Sequence, residues 1–494
     1  MPPPNRQPSR RPNTRRPAPP RTPTRRGSCN PARALVMDRL TIECERYPDF
    51  SLDPLIPHAP QNGSGLSERD AALAHALYDT AVRRAITISR LAGGFLKQPW
   101  HGLEPSVQAP LLVGATQFLF FDRVPTHAAI DEAVEWTKHA SGKGSSGLVN
   151  AVLRRIAGLV SRDADGTPQR RPAWTNSRDQ LPLADGRALV LTAPVLPGEE
   201  LSCAAVATGI PKWQVDRWAD EFGADDAIHI AWHTIATGPT ILHTPTTPSG
   251  IPESSSLAPH DSPAHRVFVG PRAGLAGLLA EHPDVWVQDP TASAAIGLLA
   301  PTTRGTGFQP VSPPARIVDL CAGRGTKTRQ LLVKYPDAEV IACEVNQDRL
   351  EDLHKLAREF PGRVRVCRPE QVAEELAGAC DVVVVDVPCS NSGVLARRVE
   401  ARHRCSQQQV KRLNEQQQEI LTLARGLLAP GGRLLYSTCS LEHAENAEMA
   451  GWATRALGLT LERELLTLPS GGPGCAPSEY HDGGYAAVLR SSGG

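Results

Sequence analysis

The strongest constraint on the fold is a rhythm that begins after residue 314. The apolar run ARIVDL is followed by a glycine-containing loop and TRQLLVKY. AEVIACEV then leads into RLEDLHKLAREF. RVRVC, DVVVVDV and GRLLYST are further apolar runs, QQQEILTLARGLL lies between the last two, and GYAAVLRS closes the series. Short apolar runs alternating with helical patterns predict βα units and a parallel, doubly wound sheet. The consecutive valines 382–385 read as a strand buried on both faces. Ligands of such sheets sit at the carboxyl ends of the strands.

Reactive groups fall at those ends. DVVVVDV runs into Asp386-Val387-Pro388-Cys389, and GGRLLYSTCSL ends in a second thiol, Cys439. A thiolate is a strong nucleophile near neutral pH. It can add to C6 of a pyrimidine, which makes C5 electron-rich enough to attack a methyl donor; a base then removes the C5 proton and the thiolate leaves. A carboxylate beside the thiols, Asp386, is suited to hydrogen bonding the amidine edge of a cytosine. Cys321, Cys343, Cys367 and Cys380 carry no such context and read as small hydrophobes.

The first run ends in Asp319-Leu320-Cys321-Ala322-Gly323-Arg324-Gly325-Thr326-Lys327-Thr328. A glycine turn after a first strand lets backbone N–H groups approach a ligand. Glu344 ends the next strand, about 20 residues on, where an acid can bind ribose hydroxyls. The turn is neither G-x-G-x-x-G nor a P-loop, and by itself it also fits a bare structural βα turn.

Composition bounds the rest. A chain of 494 residues predicts two or three domains. Residues 1–33 carry Arg6, Arg10, Arg11, Arg15, Arg16, Arg21, Arg25, Arg26 and Arg33 among prolines, with no acid. Such a tail cannot bury a core and reads as disordered. It is suited to attract a polyanion such as RNA, and equally to act as a solubilising extension. It lacks the apolar region of a secretory signal. No run approaches about 18 apolar residues, so no membrane span is expected. The 11 cysteines are scattered without a C-x-x-C pair, which argues against a disulfide framework or a zinc site and for reduced thiols in the cytoplasm.

Residues 34–160 read as a helical bundle, with LSERDAALAHALYDTAVRR opening on a capping signature at Ser67. Residues 161–200, polar and rich in turn formers, read as a linker or insertion. Residues 201–284 read as a small intermediate domain with helical IPKWQVDRWADEFG, and 285–494 hold the βα series. TPTTPSGIPESSSLAPHDSPA (244–264) and TTRGTGFQPVSPP (302–314) read as loops. Trp213 and Trp218 are expected in a core or domain interface, with RNA stacking the minority reading. Arg83, Arg84, Arg90, Arg154 and Arg155 are candidates for phosphate contact, against the plainer reading of solvated helix faces.

These motifs resemble those of the NOL1/NOP2/Sun family of RNA cytosine-C5 methyltransferases. The family's DAPCSGTGVL is matched by residues 386–395, its YSTCSLxxxEN by Tyr436 to Leu441 with Glu445-Asn446, and its D-x-C-A-x-P-G-x-K-T by Asp319 to Thr328. VQDPTAS (287–293) and HDGGYAAVL resemble its VQDEAS and DGFFxA. LSERDAALAHALYDTAVRR, LLVGATQFLFFDRVPTHAAIDEAVE and GKGSSGLVNAVLRR resemble the NusB-type helical RNA-binding domain. The two together have the layout of the bacterial RsmB/Sun-type enzymes, which methylate small-subunit ribosomal RNA. The resemblance implies an all-α NusB-like bundle followed by a Rossmann-like α/β domain that binds S-adenosylmethionine. It implies Cys439 as nucleophile, Cys389 as the group assisting C5 proton loss and product release, Asp386 as the reader of the cytosine edge, and Lys327 beside it. It implies a cofactor pocket of Asp319, Cys321, Ala322, Gly323, Arg324, Gly325, Lys327, Glu344, Arg349, Glu370 and Asp386, with no metal. RNA is the implied partner, and a monomer is the default expectation.

Several positions depart from the family pattern. Arg324 and Thr326 replace a proline and a glycine, Glu370 an adenine-contacting Asp, Arg397 to Ala401 the family's RRHPD, and Leu242 to Pro245 its LRVN. Arg324 is compatible with a sulfonium only if it points to solvent or RNA. Three other readings stand beside the main one. DNA cytosine methylation uses the Pro-Cys thiol as nucleophile and carries no cysteine at the STCS position. A ribosome-assembly factor without turnover is supported by the altered glycine turn. A transfer RNA substrate keeps the chemistry.

Overall fold

The computed structural model describes residues 29–47, 55, 66–245, 256–300 and 314–492. The tail up to residue 28, residues 246–255 of the 244–264 stretch and residues 302–313 of the 302–314 stretch lie outside them.

Six helices, α1 (Pro31–Arg46), α2 (Glu68–Arg83), α3 (Ala85–Gly93), α4 (Pro105–Phe120), α5 (Thr126–Ser141) and α6 (Lys143–Ala157), form the amino-terminal bundle. The Ser67 hydroxyl caps α2 by accepting from the Asp70 amide at 3.1 Å. Every residue of α4 from Val107 to Leu119 is buried, as an all-round apolar helix must be. Gly114 makes that possible: a Cβ there would lie 2.7 Å from Leu153 of α6. The ordered bundle begins earlier than the expected tail boundary, because Arg33 lies in α1 and pairs with Glu132 at 2.8 Å.

The 161–200 segment, expected to be a linker or insertion, is folded and packed on the bundle rather than being a bare linker. Its strands β1 (Arg170–Arg171), β2 (Gln180–Pro182) and β3 (Ala188–Val190) form a small sheet in the order β1-β3-β2. Leu181, Leu189 and Leu191 pack into the same core as the bundle. Turn formers are dense there because the strands are only two or three residues long, and both β2 and β3 are buried along their whole length.

Next come α7 (Glu200–Thr208), α8 (Lys212–Phe222) and α9 (Ala224–His233). A four-stranded sheet of β4 (Thr240–His243), β5 (Leu257–Pro259), β6 (His265–Phe268) and β7 (Trp286–Val287) follows, with α10 (Leu275–Glu281) before β7. Trp218 is buried in a cluster with Val215, Ile230, Leu395 and Leu441, at the interface of these helices with the carboxy-terminal domain. Trp213 is half-buried beneath the Arg217 guanidinium.

After α11 (Pro290–Gly297), the carboxy-terminal domain alternates β8 (Arg316–Asp319), α12 (Thr326–Lys334), β9 (Glu339–Cys343), α13 (Gln347–Glu359), β10 (Val364–Cys367), α14 (Pro369–Glu375) and β11 (Cys380–Asp386). Then come α15 (Ala401–Arg404), α16 (Gln407–Leu427), β12 (Leu428–Thr438), α17 (Ala447–Leu457), β13 (Leu459–Thr467) and β14 (Gly484–Ser491). The sheet order is β10-β9-β8-β11-β12-β14-β13. The sheet is mixed rather than parallel throughout, since β14 runs antiparallel to both β12 and β13. No α-helix lies between β13 and β14, and antiparallel strands can be joined without the crossover helix that parallel neighbours usually use. The valines of β11 alternate between two cores: Val383 and Val385 face one side, Val382 and Val384 the other. The chain crosses to opposite sides of the sheet from β8 and β11, so the switch point lies between these two strands.

Candidate active site

Register brings the candidate groups to that switch point. Val384 pairs with Asp319 across β11 and β8, and Asp386 with Ser437 across β11 and β12. Cys389 and Cys439 follow the carboxyl ends of β11 and β12, and their sulfur atoms lie 3.3 Å apart. The two thiols are not equivalent. Cys439 lines a cavity of about 200 Å³ together with Lys327, Asp386, Ser437 and Asp482. Cys389 is buried behind it. The hydrogen bond with Cys439 and burial together raise the Cys389 pKa well above the ordinary thiol value.

Asp386 accepts from the Ser437 hydroxyl at 2.8 Å and pairs with the Lys327 ammonium at 2.7 Å. Burial works against the Lys327 charge, but the adjacent Asp386 carboxylate outweighs it and the net pKa shift is upward. The Cys389 loop is held by a buried carboxylate the sequence reading left without a role. Glu445 accepts from the Ser390 amide at 3.0 Å, the Ser440 hydroxyl at 2.6 Å and the Gln417 amide at 3.1 Å. Asn391 adopts a left-handed backbone (φ 61°), a conformation that asparagine tolerates better than most residues. Its side chain accepts from the Cys439 thiol at 3.2 Å and donates to the Cys389 carbonyl at 2.9 Å.

A second cavity of about 430 Å³ opens beside the first, lined by Cys321, Ala322, Gly323, Arg324 and Lys327. A Cβ added to Gly323 (φ 58°) would meet nothing nearer than 4.0 Å, so the turn presents open backbone to this space. Asp319 is fully buried beneath it. One of its oxygens accepts from Thr328 at 2.7 Å, and the other has no partner. Burial pushes its pKa up to about 7. A buried acceptor without a donor, under an open glycine turn, fits a ligand that brings its own N–H or O–H groups.

Other expected pocket residues are placed differently. Gly325 caps α12 with φ 86° and packs against Leu353 and Leu356 of α13, where a Cβ would clash at 2.8 Å, so its role is to let helix and strand close up. Arg324 is 72% exposed and lies at the rim of the second cavity, its guanidinium paired with Asp352 of α13 at 2.5 Å. Glu344 is buried, but one oxygen already accepts from the Val345 and Asn346 amides at 2.7 and 2.8 Å, and the other faces Arg349 at 3.5 Å. Glu370 is exposed in the first turn of α14 and lines neither cavity.

Both cavities share a wall the sequence reading missed. Asp289 and Asp482 line each of them. The Asp482 amide donates to both Asp289 oxygens at 3.2 Å, and Arg397 bridges Asp482 at 2.8 Å and Asp289 at 3.4 Å. Burial, then the Asp289 charge, raises the Asp482 pKa to about 7. VQDPTAS and HDGGY were legible as motifs, but not their meeting through Arg397, which lies 85 and 108 positions from its two partners in the sequence. Among the described residues no three His, Cys, Asp or Glu side chains are arranged to hold a metal ion, and no helix is long and apolar enough to cross a membrane.

Comparison with known proteins gives this site a class. Residues 309–465 match the family model described as 16S rRNA methyltransferase RsmB/F, and residues 43–158 match the NusB family. Ribosomal RNA small subunit methyltransferase B of Vibrio cholerae is 27% identical over 462 residues, covering 89% of this chain and 93% of its own. A Mycobacterium tuberculosis chain named as a methyltransferase is 30% identical over 452 residues, 87% of this chain and 88% of its own. The solved structure of a protein called PH0851 shares the fold, with a TM-score of 0.63 at 17% identity, covering 94% of this chain and 100% of that one. Fold and comparisons together define an S-adenosylmethionine-dependent RNA methyltransferase with an amino-terminal NusB domain. The chain belongs to the RsmB/Sun family.

Proposed function

We propose that this methyltransferase forms 5-methylcytosine in small-subunit ribosomal RNA, through a transient bond between Cys439 and C6 of the target base. The observation that carries the reading is the pair of unequal thiols, 3.3 Å apart, beside the Asp386–Lys327 pair. Cys439 faces the cavity and is the nucleophile; Cys389 lies behind it, its pKa raised by the hydrogen bond with Cys439 and by burial. Asp386, fixed by Ser437 and Lys327, accepts from the exocyclic amine of the cytosine. Lys327 pairs with that carboxylate and fixes its orientation.

The larger cavity suits S-adenosylmethionine, which supplies an electrophilic methyl group when bound. Asp319 would hold its donor groups through the unpartnered oxygen, and the Ala322-Gly323 backbone would lie along it. With Cys439 bonded to C6, the C5 carbon takes up the methyl group. The C5 proton then passes to the Cys389 sulfur in its thiolate form, the C5–H electron pair restores the C5–C6 double bond, and the bond from C6 to Cys439 breaks to release the Cys439 thiolate. Choice of ribosomal over transfer RNA rests on the names of the relatives and the NusB domain.

The test is a denaturing gel after incubation with unmodified small-subunit ribosomal RNA and methyl-labelled S-adenosylmethionine. Cys389→Ala is expected to trap a labelled protein–RNA adduct and Cys439→Ala none. An adduct with the opposite variant would reverse the roles. Absence of methyl transfer by the parent enzyme to this RNA would remove the proposed substrate.

A further inference from the structure

Arg83 and Arg84 were candidates for phosphate contact, and the structure turns both inward. With Arg402 they meet where the helical bundle, the α7–α9 helices and the carboxy-terminal domain join. Arg84 and Arg402 are buried and Arg83 is partly so. Among the described residues none of the three has a carboxylate in ion-pair range. Their charge is met by backbone carbonyls instead. The carboxyl ends of α2, α7 and α9 converge here, each with carbonyls that no helical amide can satisfy. Arg402 takes the Arg83 and Thr208 carbonyls at 3.0 and 3.3 Å and the Thr234 carbonyl at 3.2 Å. Arg84 takes Ala207 at 2.8 Å and Pro182 at 2.6 Å. The packing is tight enough that a Cβ on Gly209 would lie 2.2 Å from the Arg83 carbonyl oxygen.

Two of the three arginines also reach the loop that follows Cys389. Arg83 donates to the Ala396 carbonyl at 3.1 Å, and Arg402 to Leu395 at 3.2 Å and Val399 at 3.0 Å. Between these anchors Arg397 sends its side chain the other way, to Asp482 and Asp289 in the cavity wall. Arg84 touches none of this loop.

We infer that Arg83 and Arg402 are positioning residues for methyl transfer: they latch the Cys389–Arg397 loop to the carboxyl ends of three helices, so that the helical bundle sets the geometry of the active site. The inference rests on the reading above that Cys389 and its loop take part in the reaction. A planar fork with donors on both edges can hold carbonyls from the bundle and from the loop at once; an ammonium on a flexible stem cannot reproduce that geometry.

The three arginines supply an internal control. Full-length Arg402→Lys, Arg83→Lys and Arg84→Lys are compared for kcat and KM in methyl transfer to unmodified small-subunit ribosomal RNA, for cofactor affinity by calorimetry, and for melting temperature. Arg402→Lys and Arg83→Lys are expected to lower kcat about 10- to 100-fold per folded molecule, since misplacement by about an ångström costs on that order, with cofactor affinity within about twofold of the parent. Arg84→Lys is expected to lower the melting temperature and leave kcat unchanged. Should Arg402→Lys fail to fold, the less buried Arg83→Lys decides the matter. Unchanged kcat in the loop-contacting variants, or an equal fall in all three, would overturn the latch. Cys389→Ala run alongside separates the two ideas: loss of turnover there with none in Arg402→Lys removes the latch alone, while the reverse pattern removes the thiol's role and keeps the latch.

Discussion

The sulfur atoms of Cys389 and Cys439 lie 3.3 Å apart, yet only Cys439 faces the cavity. Nearness and inequality both follow from the sheet. Adjacent parallel strands end side by side, and the chain leaves β11 through Pro388 into a buried loop tied to Glu445, whereas β12 ends directly on its thiol.

The inequality makes a prediction about reactivity. Cys389 is buried, and its thiolate is disfavoured by the Cys439 hydrogen bond and by burial. Iodoacetamide is therefore expected to alkylate Cys439 at least about tenfold faster, as followed by mass spectrometry of the two peptides. Equal rates would mean that the thiols are equally accessible, against the division of labour proposed for them.

The Asp386–Lys327 pair makes a second. Asp386→Asn keeps the shape but removes the charge that holds the Lys327 pKa up against burial. The variant's Lys327 is then expected to lose its proton at lower pH than in the parent. Residual methyl transfer should decline on the alkaline side at a lower pH, and kcat/KM should fall about 100-fold through loss of the hydrogen bond to the base. A pH profile superimposable on the parent's would show that the pair does not act as a unit.

Much of this site was legible because it is local. Asp386, Cys389 and Cys439 stand at the ends of strands whose valine and leucine runs announce them, and strand ends of a doubly wound sheet are where ligands sit. What escaped was non-local. Nothing about Arg83 distinguishes it from Arg90, which is exposed, until the ends of α2, α7 and α9 come together. The 161–200 segment reads as loop because its strands are two or three residues long. The antiparallel return of β14 escaped because β13, with Glu462 and Glu464 among its leucines, has no continuous apolar run. Gly325 looked like part of a ligand turn, but its glycine is demanded by Leu353 and Leu356 on a helix about 30 positions away in sequence, a spacing no local pattern reveals.

A third prediction concerns Asp319. Its folded pKa of about 7 lies above the ordinary carboxylate value, through burial first, so the folded protein holds a proton there that the unfolded chain has released. Its contribution to stability is fully present below about pH 4 and lost as pH rises through 7. Across pH 5 to 8 the loss from this group is on the order of 3 kcal/mol. Asp319→Asn, which cannot ionise, is expected to flatten the fall in melting temperature over that range and to bind S-adenosylmethionine more weakly. Melting curves of parent and variant at pH 5, 6.5 and 8 test it; parallel pH dependence would assign the trend to other groups, such as Asp482.

The last prediction follows from a glycine whose importance is steric. The Gly393 amide donates to the Cys439 carbonyl at 3.0 Å, and its own carbonyl accepts from the Gly483 amide at 2.8 Å, so one residue stitches together the Cys389 loop, the end of β12 and the turn before β14. A Cβ at this position would stand 2.5 Å from the Gly483 oxygen and 3.0 Å from the Cys439 oxygen. Both obstacles are backbone and cannot rotate away. Gly393→Ala is therefore expected to push the Cys439 strand end and the Asp482-Gly483 wall apart, destabilising the fold by about 1–3 kcal/mol and lowering kcat about 100-fold in the molecules that fold. Gly426→Ala, on α16 with nothing within 4 Å of the added carbon, is the matched control and should leave both quantities near the parent values. If the two variants behaved alike, the contact through Gly393 would not be what holds the thiol in place.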